Sequence, residues 1–115
     1  MDYENLGKKI LDLDSSIRLV TILNANDEKV LFSEHRSGVT NLLSKEESKE
    51  SLQLAINAWK TRGKLAPKIG KGKYVLAEYE KIKRMTIPFD DNHLLYITTE
   101  VGCNTNDLIN KIQNL

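Results

Sequence analysis

The sequence predicts an α+β domain in which helices pack on a single five-stranded antiparallel sheet, in the order αββαβββα. Three observations predict it. Three stretches carry apolar residues at steps of three and four, five short runs are rich in β-branched and aliphatic residues, and those runs fall as a hairpin, then a crossover helix, then a meander, which gives one antiparallel sheet.

The first helix spans residues 3 to 13, where Tyr3, Leu6, Ile10 and Leu13 share one face until Asp14-Ser15-Ser16 interrupts the period. Ile17 to Asn24 is almost continuously apolar, as in a strand covered on both faces, and is predicted to be central. Asn24-Ala25-Asn26-Asp27-Glu28 supplies turn residues, and Lys29 to Ser33 returns as the second arm of a hairpin. Ser44 followed by Glu47 forms a capping box that opens a second helix, which buries Leu52, Ala55, Ile56 and Trp59 and is predicted to stop at Gly63. Lys64 to Gly72 shows no hydrophobic period and reads as an exposed loop. Tyr74 to Tyr79, Ile82 to Phe89 and Leu94 to Thr99 form a meander, and Asn104 or Thr105 caps a last helix striped by Leu108, Ile109, Ile112 and Leu115. The expected sheet has the first hairpin at its centre, a crossover helix and a closing meander.

The 115 residues fit one core, so residues 1–115 are expected to form a single domain. Composition is 40% hydrophobic and 29% charged, a globular profile, and the net charge of +1 favours neither nucleic acid nor an anionic membrane as a whole-molecule partner. The N-terminus, Met1 to Leu6, is acidic and lacks the order of a signal peptide, and no apolar run approaches the roughly 20 residues of a bilayer span. The single cysteine, Cys103, fits a reducing compartment, and a cytoplasmic location is expected.

The first hairpin, Ile17-Arg18-Leu19-Val20-Thr21-Ile22-Leu23-Asn24 with Lys29-Val30-Leu31-Phe32-Ser33, resembles that of the roadblock and dynein light-chain family. The last two strands, Lys83 to Ile87 and Leu94 to Thr99 around Asp90-Asp91-Asn92-His93, resemble its closing hairpin. The same order is shared more broadly by profilin-like folds. The resemblance implies a non-enzymatic homodimer that serves a small GTPase or a motor complex. The segment Ala77 to Arg84 is also similar to a strand pair in a group of small uncharacterised archaeal proteins, a resemblance that implies no activity.

No catalytic, metal or cofactor site is expected. His35 and His93 fall in different loops, and neither H-E-x-x-H nor C-x-x-C occurs. Cys103 precedes the last helix, where a thiol pKa is lowered, but reads as a small residue closing a strand and dispensable to function. Gly70-Lys71-Gly72-Lys73 lacks the glycine spacing, hydroxyl and strand-before-helix context of a phosphate loop. Glu46-Glu47 and Asp90-Asp91 serve capping and turns, since neighbouring carboxylates point apart.

Charge distribution is more informative. Between Glu50 and Glu78 there is no acidic residue, while Lys60, Arg62, Lys64, Lys68, Lys71 and Lys73 supply six positive charges, leaving −5 for the rest of a +1 chain. With Trp59 and Tyr74 these form the candidate interaction surface. Such a stretch serves as a solvated loop, as a surface for an acidic protein partner, or as a phosphate and base contact. The leading expectation is a homodimeric docking module for a small GTPase or signalling protein. The alternatives are a small-molecule sensor of PAS, GAF or profilin type with a pocket between sheet and loops, and a nucleic-acid binder through the basic stretch.

Overall fold

A computed structural model describes residues 2–115. Met1, where the sequence reading of the N-terminus begins, lies outside them. The elements are α1 (Tyr3–Leu11), β1 (Ile17–Asn24), β2 (Val30–His35), α2 (Lys45–Ile69), β3 (Val75–Glu78), β4 (Lys83–Pro88), β5 (His93–Thr99) and α3 (Thr105–Gln113). All pairings in the sheet are antiparallel, in the order β2-β1-β5-β4-β3. The succession of elements along the chain is the αββαβββα read from the sequence.

The position of the first hairpin differs from expectation. β1 is interior, but β2 is an edge strand, and β5 takes the middle of the sheet. The burial of the two arms agrees: β1 is buried at most positions, whereas Val30 is exposed and Leu31 and Phe32 are half-buried. An edge strand has a neighbour on one side only, so its side chains meet less of the core.

The sheet's two faces are unlike. Alternation directs Val20, Ile22, Met85, Ile87, Leu95 and Ile97 to one face, where they form the main core with Ile10 of α1 and Leu108, Ile109 and Ile112 of α3. The opposite face, covered by α2, carries Leu23 and Leu94 near Ile56, Leu52 and Trp59, and otherwise Thr21, Ser33, Arg84, Thr86, Tyr96 and Thr98. Gly7 of α1 lies against the Phe32 ring, with no room there for a Cβ.

The helix ends follow capping chemistry. Ser44 Oγ accepts from the Glu47 N–H at 3.1 Å while Glu47 Oε1 accepts from the Ser44 N–H at 2.8 Å, which is the reciprocal box the sequence predicts. Asn104 caps α3 by accepting from the Asp107 N–H at 3.1 Å.

α2 does not stop at Gly63. It continues for 25 residues to Ile69, through Pro67, and ends at Gly70, whose φ of 92° takes the left-handed backbone that glycine tolerates. Lys64 to Ile69, read as loop, is thus helix, and only residues 70–74 connect it to β3. Gly63 costs about 1 kcal/mol in a helix interior but does not end one when Lys64, Leu65 and Ala66 are good helix formers. Pro67 removes the N–H that would return to the Gly63 carbonyl and its ring crowds that carbonyl, but it stands in the last turn, two residues before the helix ends.

Candidate interaction surface

α2 presents two apolar stripes. Leu52, Ala55, Ile56, Trp59 and Ala66 face the sheet, while Leu54, Ala58, Thr61, Leu65 and Ile69 recur at steps of four, three, four and four on another face. At 3.6 residues per turn the two stripes are about 120° apart. Leu54 is 58% exposed, Leu65 50% and Ile69 80%, so the second stripe lies open. Only Ala55 and Ile56 of the whole helix are buried. Lys60, Lys64 and Lys68, spaced by four, form a basic row about 100° around the helix from the open stripe, with Lys68 nearest to it.

The continued helix also places the other predicted residues. Lys60 pairs with Glu28 at 3.6 Å, and Glu28 is held below the ordinary carboxylate range by the Gln53 side-chain hydrogen bond and the Lys60 charge. Lys71 pairs with Asp91 at 3.1 Å. The Arg62 guanidinium lies 5.2 Å from the Trp59 ring centroid. Lys64, Lys68 and Lys73 have no carboxylate partner among the described residues. Trp59 is half-buried, its Nε1 donating to Thr86 Oγ1 at 2.7 Å, and a Cβ added at Gly72 would sit 2.6 Å from its Cζ3. Its ring is engaged by helix, sheet and linker instead of standing free beside the lysines. Tyr74 is exposed in the connection, directly before β3. β3 itself has a free outer edge, with Leu76 also exposed.

The polar character of the sheet under the first half of α2 has a structural result. Tyr96 Oη and Ser51 Oγ are 2.7 Å apart, Arg84 Nη1 donates to Ser51 Oγ at 2.6 Å, and the helix stands off the sheet there. An open cleft of about 1310 Å³ lies between α2, the 36–44 connection and the β3–β4 turn. A second cleft of about 620 Å³ adjoins Trp59, Lys71 and Asp91.

His93 closes a line of three groups, with Tyr3 Oη 2.8 Å from Nε2 and Asp90 Oδ1 2.8 Å from Nδ1. Burial opposes ionisation of Asp90, but hydrogen bonds from the Asn92 N–H and from His93 outweigh it and hold the carboxyl below its ordinary value. The line latches the start of α1 to the β4–β5 turn. His35 and His93 lie toward opposite ends of β1, beside Leu19 and Asn24 respectively.

The basic residues were legible in the sequence, but the open stripe was missed, although the spacing of Leu54, Ala58, Leu65 and Ile69 carries it. Ending the helix at Gly63 removed its last two members. Arg84 was missed as well, and no local pattern marks it.

No protein-family model and no curated protein matches the sequence. Solved structures do resemble it. The Roadblock/LC7 domain from Streptomyces avermitilis superposes with a TM-score of 0.73 at 11% identity, covering 98% of this chain and 88% of that one. The gliding protein MglB from Thermus thermophilus gives 0.73 at 12% identity over 94% and 79%, and Myxococcus xanthus MglB 0.72 at 11% over 99% and 89%. The five-stranded sheet with its three helices therefore has the Roadblock/LC7 fold.

Proposed function

We propose that the chain is a non-enzymatic docking module that forms a homodimer through the open stripe of α2 and the free edge of β3. The joined surface, with the basic segment Lys60–Lys73, then receives a small GTPase or another signalling protein. The observation that carries this reading is the second apolar stripe on a helix whose first stripe already faces the sheet, since such a stripe on one exposed helix marks an interface.

A second copy fits it by shape and charge. In an antiparallel pair centred between Ala58 and Thr61, Leu54 of one copy meets Leu65 of the other. The acidic start of the helix, Glu46 and Glu47 of the first turn with Glu50 of the second, then runs beside the second copy's Lys68 to Lys73 segment. The GTPase reading is supported by the Roadblock/LC7 fold and by the sequence resemblance to that family, whose members serve small GTPases or motor complexes.

Sedimentation analysis over a range of concentrations tests the dimer. The expected result is twice the chain mass, reduced to the chain mass in Leu65→Glu, whose exposed site leaves the monomer folded by circular dichroism. A wild-type chain that stays monomeric at high concentration overturns the reading. Co-elution of the dimer with a GTP-loaded small GTPase from the same organism, lost in Lys60→Glu/Lys64→Glu, which lie outside the segment set against the second copy's glutamates, tests the docking step.

A further inference from the structure

The larger cleft has a cation at its base that nothing among the described residues neutralises. Arg84 is half-buried, and its guanidinium carbon lies 5.6 Å from the Tyr79 ring centroid and 5.8 Å from that of Tyr96. Those rings and the Ser51 hydroxyl fix its plane. Nη1 is used by Ser51 Oγ, while the edge formed by Nε and Nη2 donates to no group among the described residues. No carboxylate among those residues pairs with it either. Partly desolvating a guanidinium without a counter-ion is costly, and its free edge has the planar two-donor geometry that matches a carboxylate.

The walls show what is attached to that carboxylate. Leu19, Leu42, Leu43, Leu52, Leu54 and Ile82 line the cleft, and Leu42, Leu43 and Leu54 are exposed there. At about 1310 Å³ it exceeds the space a compact metabolite fills. The rim carries Glu47, Glu50 and Glu80 against Lys45 and Lys81, and Arg18 in the same wall is neutralised by Glu100 at 2.7 Å, a balance that disfavours a polyanion such as a nucleotide. One cation at the floor with no carboxylate partner among the described residues, apolar walls and a rim with no excess of positive charge select an amphiphile with a single negative group.

We propose that this cleft binds a medium- or long-chain monocarboxylate, its carboxylate paired side-on with Nε and Nη2 of Arg84 and its chain along the leucines toward Leu42 and Leu43. The inference is separable from the docking reading, because the two share only Leu54 and the rim residues Glu47 and Glu50, while Arg84 and Leu43 belong to the cleft alone.

Isothermal titration of the full chain with sodium decanoate, 1-decanol and inorganic phosphate, each as a separate probe, tests it. Decanoate is expected to bind saturably at one site, decanol about tenfold or more weakly, and phosphate not at all, because a charge-assisted pair is worth at least about a factor of ten. Arg84→Met should bring decanoate down to the level of decanol, with Arg84→Lys between. Leu43→Asp, at an exposed rim position where folding is not at stake, should weaken decanoate about tenfold without altering Arg84. Four results each overturn the proposal: no decanoate binding to the wild type; equal affinity for decanoate and decanol; phosphate binding as tight as decanoate; or decanoate binding unchanged in both Arg84→Met and Leu43→Asp. Binding that appears only in the monomeric Leu65→Glu chain also overturns it, since the second copy would then be the occupant. A monomeric wild type that binds decanoate as described defeats the docking reading and leaves this one intact.

Discussion

Replacing Arg36 by methionine is expected to destabilise the fold by about 3 kcal/mol, more than any surface position should. Arg36 follows β2, and its guanidinium reaches back under the α1–β1 connection. Nη2 donates to the Leu11 carbonyl at 2.6 Å and the Asp14 carbonyl at 2.8 Å, and Nε donates to the Ile17 carbonyl at 2.6 Å. Leu11 is the last residue of α1, so its carbonyl is one of the helix's unpaired acceptors and sits at the negative end of the helix dipole. Charge-assisted hydrogen bonds contribute about 1.5–3 kcal/mol each when buried, but Arg36 is half-buried and water replaces part of the loss, so about 1 kcal/mol per bond is the reasonable share. Methionine keeps the apolar stem and removes all three bonds. For a chain of this size the sum corresponds to a fall in Tm of about 10 °C. Urea unfolding followed by far-ultraviolet circular dichroism gives the free energy, and hydrogen exchange at α1 gives its location. Arg36→Lys restores a charge on one nitrogen that cannot span three carbonyls, and should recover no more than about half. A loss below about 1 kcal/mol for Arg36→Met, or full recovery by lysine, would refute the argument that the fork holds α1 to the sheet.

Asp14 Oδ1 accepts from the Ser16 N–H at 2.8 Å and the Ser16 hydroxyl at 2.7 Å, and these bonds hold its pKa below the ordinary 3.8. Its contribution is therefore complete above that ordinary value and is lost as pH falls through the lower folded value. The urea midpoint of Asp14→Asn should depend less steeply on pH between about 5 and 2 than that of the wild type, and parallel curves would count against the assignment. Gly63→Ala should stabilise the chain by about 0.5–1 kcal/mol, because the helix runs through it and nothing lies within 4 Å of the added Cβ. A helix ending at Gly63 in left-handed backbone would make the same change destabilising. Gly7→Ala should cost about 1–3 kcal/mol in thermal melts, since its Cβ meets the Phe32 ring; a neutral result would mean that the ring moves aside freely.

Where a feature depends on neighbours in the chain, the sequence was sufficient. The box of Ser44 and Glu47, the Asn104 cap, the limits of β1 and the three strands of the meander follow from local hydrogen bonding and from the period of the side chains. The end of α2 was also local but turned on a competition: two glycines at 63 and 70 each suit a helix end, and the one followed by helix formers was passed through. The basic residues were legible as a charge run, yet their spacing as a row on a helix was not, because that depended on the helix continuing past Gly63.

What only the tertiary structure decided is which groups meet across long stretches of chain. β5 rather than the first hairpin is central because strands far apart in sequence pair, and pairing order carries no local signal. Arg84 meets Ser51, 33 residues away, and Ser51 meets Tyr96, 45 residues away. None of these residues is unusual alone. The cleft exists because polar residues that alternation sends to one sheet face come together beneath a helix that lacks an apolar surface to press upon there. That coincidence belongs to the packed chain: the sequence by itself determined the elements and their order, and folding alone determined that one face would close into a core and the other would stay open around Arg84, which has no carboxylate partner among the described residues.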